Sequence, residues 1–244
     1  MRQLLLSLTV VALVLGLTGP LAGAQKEPPV IEPMTAAPVP IGIGPYGTLT
    51  TCQMGNLNAP AWSITSFIYP PEDYKFAFDP LATCTACPSG FKVNTIHVVL
   101  QAKKACTVVL SVDFEEAAYP TADCTAPGPV QCTSNLYQFN LGVGTWNLPV
   151  PITCDCLTPG HKYLLGVHFD SRSCTPANLG LILDAGPAAL CLNWNNYGAG
   201  WEDLLVDYPT WPGQMLFFAD VECCDLPIST QNNTWGAIKD LYKN

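Results

Sequence analysis

Twelve cysteines behind an apolar leader constrain this chain more than any other feature. They are Cys52, Cys84, Cys87, Cys106, Cys124, Cys132, Cys154, Cys156, Cys174, Cys191, Cys223 and Cys224. The leader reads MRQLLLSLTVVALVLGLTGPLAGAQ. Arg2 is its one charge, an apolar run spans Leu4 to Leu17, and Ala22-Gly23-Ala24 follows the break at Gly19 and Pro20. That is the pattern of a secretory signal peptide over residues 1–24, with cleavage expected after Ala24. The run is too short for an ordinary membrane span, and nothing later in the chain is long and apolar enough for one. The expected location is therefore secreted, extracellular or cell-surface. An even cysteine number in an exported chain predicts a disulfide framework, and full pairing of the twelve makes six bridges.

Spacing offers local candidates, Cys124 with Cys132 around CTAPGPVQC and Cys174 with Cys191. Cys223 and Cys224 are neighbours. On a strand their side chains point to opposite faces, so they are expected to clamp two different segments. CTAC, Cys84 to Cys87, has the spacing of a redox pair, but Pro88-Ser89-Gly90 follow and no helix start is at hand to activate a thiolate. CxxC together with Cys154 and Cys156 also has zinc-ligand spacing, over which disulfides win in an oxidising compartment.

Charge is sparse and acidic, with 19 Asp and Glu against 10 Lys and Arg. The one basic pair is Lys103-Lys104, so the clustered cations that phosphate backbones demand are missing, and nucleic acid is not an expected partner. Residues 25–48 carry prolines at 28, 29, 33, 38, 40 and 45 and read as an extended, proline-rich linker. From 49 to 226 the signals are strand signals. CTVVLSVDF puts Val108, Leu110, Val112 and Phe114 on one face, and YLLGVHFD does the same with Tyr163, Leu165, Val167 and Phe169. FKVNTIHVVLQ changes phase near Thr95 and Ile96, which predicts a bulge. Turn clusters such as PSG, TAPGP, TPGH and DAGP separate these runs. The fold class expected is all-β, a disulfide-rich two-sheet β-sandwich of jelly-roll-like type, with a short C-terminal helix. That helix falls in the tail 227–244, capped by Asn233 or Thr234, with Trp235, Ile238, Leu241 and Tyr242 as its apolar stripe. Its length is marginal alone, so a protein partner or its own domain is expected to hold it.

Two acidic sets stand out. Asp113 and Glu115 share one strand face, and Asp220 and Glu222 share another. Oxygen ligands of this kind suit calcium, which makes structural calcium the only cofactor candidate. No catalytic residue is assigned: GxSxG and HExxH are missing, and His97, His161 and His168 read as structural. The stretch LCLNWNNYGAGWEDLL is the candidate ligand site. Trp194, Tyr197 and Trp201 offer flat faces for sugar rings, and Asn195, Glu202 and Asp203 offer hydrogen bonds to hydroxyls. The same stretch also has the composition of a hairpin, with NNYGAG as its turn.

CTACPSGF, VVLSVDFEEA, GWEDLLVDYP, FADVECC and the ending TWGAIKDLY together resemble a group of uncharacterised exported bacterial proteins. These are cysteine-rich β-sandwich proteins that end in a Trp-Gly-x-Ile-Lys-x-Leu-Tyr-type segment. The resemblance implies no catalytic or binding residue, and it gives the tail the look of an attachment or sorting segment. Three functions follow as expectations. The first is a non-catalytic structural or adhesive module of the cell surface or extracellular space. The second is a carbohydrate-binding module, calcium-assisted, whose partner is polysaccharide or another cell-surface component. The third is a secreted polysaccharide hydrolase, which lacks a defined acid pair.

Overall fold

A computed structural model describes residues 28–34, 39–40, 52–119 and 122–224. The signal peptide and the C-terminal tail with its expected helix lie outside the described residues. Among the described residues, fifteen strands form two sheets. The first sheet holds β1 (Val30–Pro33), β2 (Val39–Pro40), β3 (Cys52–Gly55), β4 (Pro60–Thr65), β6 (Phe91–Ala102), β10 (Gly144–Pro151), β12 (Leu179–Asp184) and β15 (Phe217–Cys223). The second holds β5 (Glu72–Phe78), β7 (Cys106–Glu116), β8 (Val130–Thr133), β9 (Tyr137–Leu141), β11 (Tyr163–Arg172), β13 (Asn193–Asn196) and β14 (Glu202–Asp203). Every pairing among these strands is antiparallel except β2 with β10. From β4 to β7 and from β9 to β13 the chain changes sheet at each step, which is the crossing pattern of a jelly roll.

The expected alternation builds the core. Val108, Leu110, Val112 and Phe114 of β7 face Ile96, Val98 and Leu100 of β6 across the sandwich, all buried. Edge-to-face rings tie the layers together, with Phe91 5.5 Å from Tyr163 and 6.0 Å from Phe114 between centroids. On β6 the buried positions run Phe91 and Val93, then Ile96, Val98, Leu100 and Ala102. The parity changes where β15 shifts register, with Asp220 opposite Thr95 and Val221 opposite Val93. This is the bulge that the sequence predicts, and it lets one long strand keep its apolar face inward on both sides of the irregularity.

All twelve cysteines pair, as Cys52–Cys84, Cys87–Cys223, Cys106–Cys174, Cys124–Cys191, Cys132–Cys154 and Cys156–Cys224. Cys223 and Cys224 do clamp different segments. The local candidates are corrected: neither Cys124–Cys132 nor Cys174–Cys191 forms. Strand register decides this. Arg172 of β11 lies opposite Val108 of β7, so two residues on from Arg172 and two residues back from Val108, Cys174 meets Cys106. Cys132 is held on β8 opposite Phe114 and bridges to the end of β10 in the other sheet, leaving Cys124 for Cys191. Cys84 and Cys87 belong to separate bridges rather than to a CxxC redox pair.

The proline-rich segment is more than a spacer. Val30–Pro33 adds β1 to the β4 edge, and Val39–Pro40 pairs with β10 on the opposite edge. Between them Met34 packs on Val99, Ile182 and Leu216, an apolar patch on the outer face of the first sheet. Prolines suit these edge positions because an edge strand has one side with no ladder to donate to. No helix among the described residues is long and apolar enough to cross a membrane.

Candidate functional site

The outer face of the second sheet carries a charged row at Lys75, Gly166 and Asp113, flanked on one side by Ala77 and Leu164 and on the other by Asp73, His168 and Ser111. Lys75 of β5 and Asp113 of β7 both lie opposite Gly166 of the intervening β11. A side chain at Gly166 would run into the Asp113 carboxylate. Its absence lets Lys75 reach across the strand, with Nζ 3.2 Å from Asp113 Oδ1 and in contact with Glu115 Oε1. The Trp201 ring covers the ammonium at 4.6 Å from its centroid, a cation–π contact. Lys75 is 3% exposed, so this charge is stable only because it is paired. Burial raises the pKa of both Asp113 and Glu115, and Lys75 opposes that rise. Beside this set, His168 Nδ1 stands 2.7 Å from Asp73 Oδ1, both partly open to solvent.

The calcium set therefore does not converge. Asp113 and Glu115 are spent on Lys75. Asp220 alternates with inward Ala219 and Val221 and so lies with Glu222 on the outer face of the first sheet, the far side of the sandwich. There Asp220 takes hydrogen bonds from His97 Nε2 at 3.0 Å and Gln53 Nε2 at 2.9 Å. Burial alone would raise the Asp220 pKa, but these two bonds win and hold it below the usual value.

LCLNWNNYGAGWEDLL forms the hairpin β13–β14, added to the sheet edge at β5. Gly198 and Gly200 take φ of +102° and +119°, which side chains rarely tolerate, and Gly198 N–H donates to Asn196 Oδ1 at 2.9 Å. The turn fixes where the rings go. Trp194 packs on Ala77, Ala117 and Leu164, and its Nε1–H donates to Cys191 O at 3.3 Å. Trp201 lies over Lys75. Trp194, Tyr197, Trp201 and Glu202 are all half-buried, so each keeps an accessible part. Asn195 and Asp203 are different. Asn195 points inward and donates from Nδ2 to Asp73 O at 2.9 Å, and Asp203 accepts from Leu205 N at 2.9 Å and from Cys191 N. Both are buried and act as struts of the hairpin rather than as ligand contacts.

The structure adds residues that the local sequence does not reveal. Lys75, Asp73 and His168 come from other strands, and the register that aligns them depends on the whole sheet. Asp207 and Tyr208, in the short helix Leu204–Asp207 and just after it, complete the rim. Burial and a hydrogen bond shared with Glu202 push the Asp207 pKa up to about 6. Tyr197 also hydrogen-bonds Glu202, which raises its own pKa. The sign of the linkage follows. A carboxyl whose folded pKa is raised favours the folded state while it is protonated and loses that contribution as pH rises toward the folded value. Asp207→Asn removes the repulsion from Glu202 above that point. The Tm difference between Asp207→Asn and wild type is expected to grow in the variant's favour as pH rises from 4 through about 6. A difference that stays flat across this range contradicts the shared proton.

A family model described as a domain of unknown function, DUF7451, matches residues 48–221. The chain belongs to that family. The match covers the β-sandwich from just before β3 to within two residues of the end of β15, and so includes the hairpin and the Lys75 set described above. No curated protein matches the sequence. Among solved structures, the chain is similar to the cysteine protease and lectin-like domains of Cwp84, a surface layer associated protein of Clostridium difficile, at 13% identity and a TM-score of 0.39 over 67% of this chain and 34% of that one. It is also similar to an alanine variant of the clostridial cysteine protease Cwp84 after propeptide cleavage, at 15% identity and a TM-score of 0.37 over 64% and 37% of the two chains. The DUF7451 chain thus spans about a third of the length of each.

Proposed function

We propose that this DUF7451 protein is an exported, non-catalytic adhesive module of the cell surface or extracellular space, and that it holds polysaccharide on the outer face of its second sheet. One observation carries the reading. The hairpin lays two half-buried indole rings against the sheet, Trp194 on an apolar patch and Trp201 on the Lys75 ammonium, beside the Tyr197–Glu202–Asp207 rim. A ring seated on one face and open on the other suits the C–H face of a pyranose, and carboxylates at its edge suit hydroxyl donors. Six disulfides fit a module that works outside the cell.

Hydrolysis is the poorer fit. Glycosidase carboxyls stand about 5–10 Å apart across the scissile bond. Glu202 and Asp207 hydrogen-bond each other, and Asp113 and Glu115 are locked on Lys75. Neither pair straddles a substrate.

The test is a glycan array and insoluble-polysaccharide pull-down with the oxidised full-length chain, with and without calcium. Wild type is expected to bind at least one glycan class, and Trp201→Ala to bind it at least tenfold more weakly. Tyr197→Ala, a half-exposed position, serves as a second variant if loss of the ring over Lys75 disturbs folding. Binding that survives both substitutions rejects the platform.

A further inference from the structure

We infer that the protein has a second ligand site, a hexose-sized cleft on the outer face of the first sheet, made by Gln53, Asn58 and Asn147 over a floor of Val99, Leu216 and Phe218. The cleft holds about 220 Å³, too small for an oligosaccharide chain and of the order of one sugar ring. It lies on the far side of the sandwich from the Trp194–Trp201 hairpin and stands on its own observations.

The floor is apolar and partly aromatic. Val99 and Leu216 at its base are nearly fully buried and already carry Met34, so the apolar face open to a ligand is that of half-buried Phe218, which is held flat by His97, whose ring stacks on it at 4.4 Å with planes 6° apart. The polar rim is set by two carboxylates just behind it. A carboxylate only accepts, so any amide bonded to it must present its NH₂ and leave its carbonyl free. Gln53 Nε2 donates to Asp220 Oδ1 at 2.9 Å, which leaves Gln53 Oε1 for the cleft. Asn58 Nδ2 donates to Asp184 Oδ2 at 2.7 Å, which leaves Asn58 Oδ1. The Asn147 amide stands 3.0 Å from His97 Nδ1, on the other side of the ring from the Nε2 that serves Asp220, and completes the rim. The cleft therefore offers two carbonyl acceptors and the Asn147 amide around an apolar floor.

That set selects the ligand class. Two carbonyl acceptors need hydroxyl or N–H donors, and the floor needs a C–H face. No Lys or Arg lines the cleft, while Asp184 and Asp220 stand behind its rim, so an anionic ligand is disfavoured. A neutral polyhydroxylated ring meets all three conditions. With the hairpin platform on the opposite face, a filled cleft gives the module two glycan contacts that point in opposite directions.

The probes are glucose, galactose, mannose and N-acetylglucosamine, each titrated to tens of millimolar against the oxidised full-length chain and followed by saturation-transfer NMR. At least one is expected to bind saturably. Gln53→Ala/Asn147→Ala is expected to weaken that binding at least tenfold, and Asn58→Ala, an exposed position, to weaken it severalfold with Tm unchanged. Trp201→Ala is expected to leave it intact, which separates this site from the hairpin. Failure of all four sugars to bind, binding indifferent to the amide substitutions, or binding lost in Trp201→Ala each overturns the proposal.

Discussion

Reduction of the six disulfides is expected to unfold the protein at or near room temperature. The bridges close loops with sequence separations from 22 to 136 residues. On a chain-entropy basis closures of this size are worth about 3–5 kcal/mol each when taken singly. Overlapping loops do not add, yet a fraction of the sum already equals the net stability of an ordinary domain, about 5–15 kcal/mol. Several bridges also join elements that share few hydrogen bonds, such as Cys132 on β8 and Cys154 past the end of β10. The expected result is a fall in Tm of about 20 °C or more, or loss of the cooperative transition altogether. Twelve titrated thiols must accompany it. An unchanged Tm with all twelve thiols free would show that the sandwich core is sufficient without its bridges.

The second large effect is expected at Lys75. Lys75→Met leaves Asp113 and Glu115 as two like charges under Trp201 with no cation between them. Breaking a buried ion pair from one side costs about 3–5 kcal/mol. That corresponds to a Tm loss of about 10 °C at neutral pH for a chain of this size. The pH dependence identifies the cause. Burial raises both carboxyl pKa values even with Lys75 present, so both groups favour the folded state when protonated. This contribution is present below the ordinary carboxylate range and is lost as pH rises through the folded values. Without Lys75 the folded values rise further. The deficit of Lys75→Met relative to wild type should therefore shrink on acidification, and Asp113→Asn/Glu115→Gln in the same background should recover much of it at neutral pH. A deficit that is constant with pH, or that grows in acid, contradicts a buried charge triad.

These two effects mark where the chain is legible and where it is not. Period-two runs such as CTVVLSVDF and YLLGVHFD name their own inward faces, because a strand buries alternate residues wherever it sits. The phase change near Thr95 is legible for the same reason. The divergence of Cys223 and Cys224 follows from strand geometry alone. Partnership is another matter. Cys106 finds Cys174, and Lys75 finds Asp113 across Gly166, only because β5, β11 and β7 pair in one register. Nothing local to CTAPGPVQC signals that Cys124 will leave its near neighbour for Cys191. The proline-rich segment misleads in the same way, since its composition describes an extended chain but not the sheet edges on which Val30–Pro33 and Val39–Pro40 lie. At the hairpin, residue types alone do not separate Asn195 and Asp203, which hold the turn, from Trp194, Tyr197, Trp201 and Glu202, which remain accessible. Parity and burial do.

The glycan platform is best tested by the indole N–H signals of the six tryptophans, followed in ¹H–¹⁵N spectra as the array's tightest glycan is added to the oxidised protein. The signals of Trp194 and Trp201 are expected to shift together and to saturate, while that of Trp211, buried in the core, stays in place. A glycan that binds without moving either hairpin indole would contradict the platform and move the site elsewhere on the sandwich.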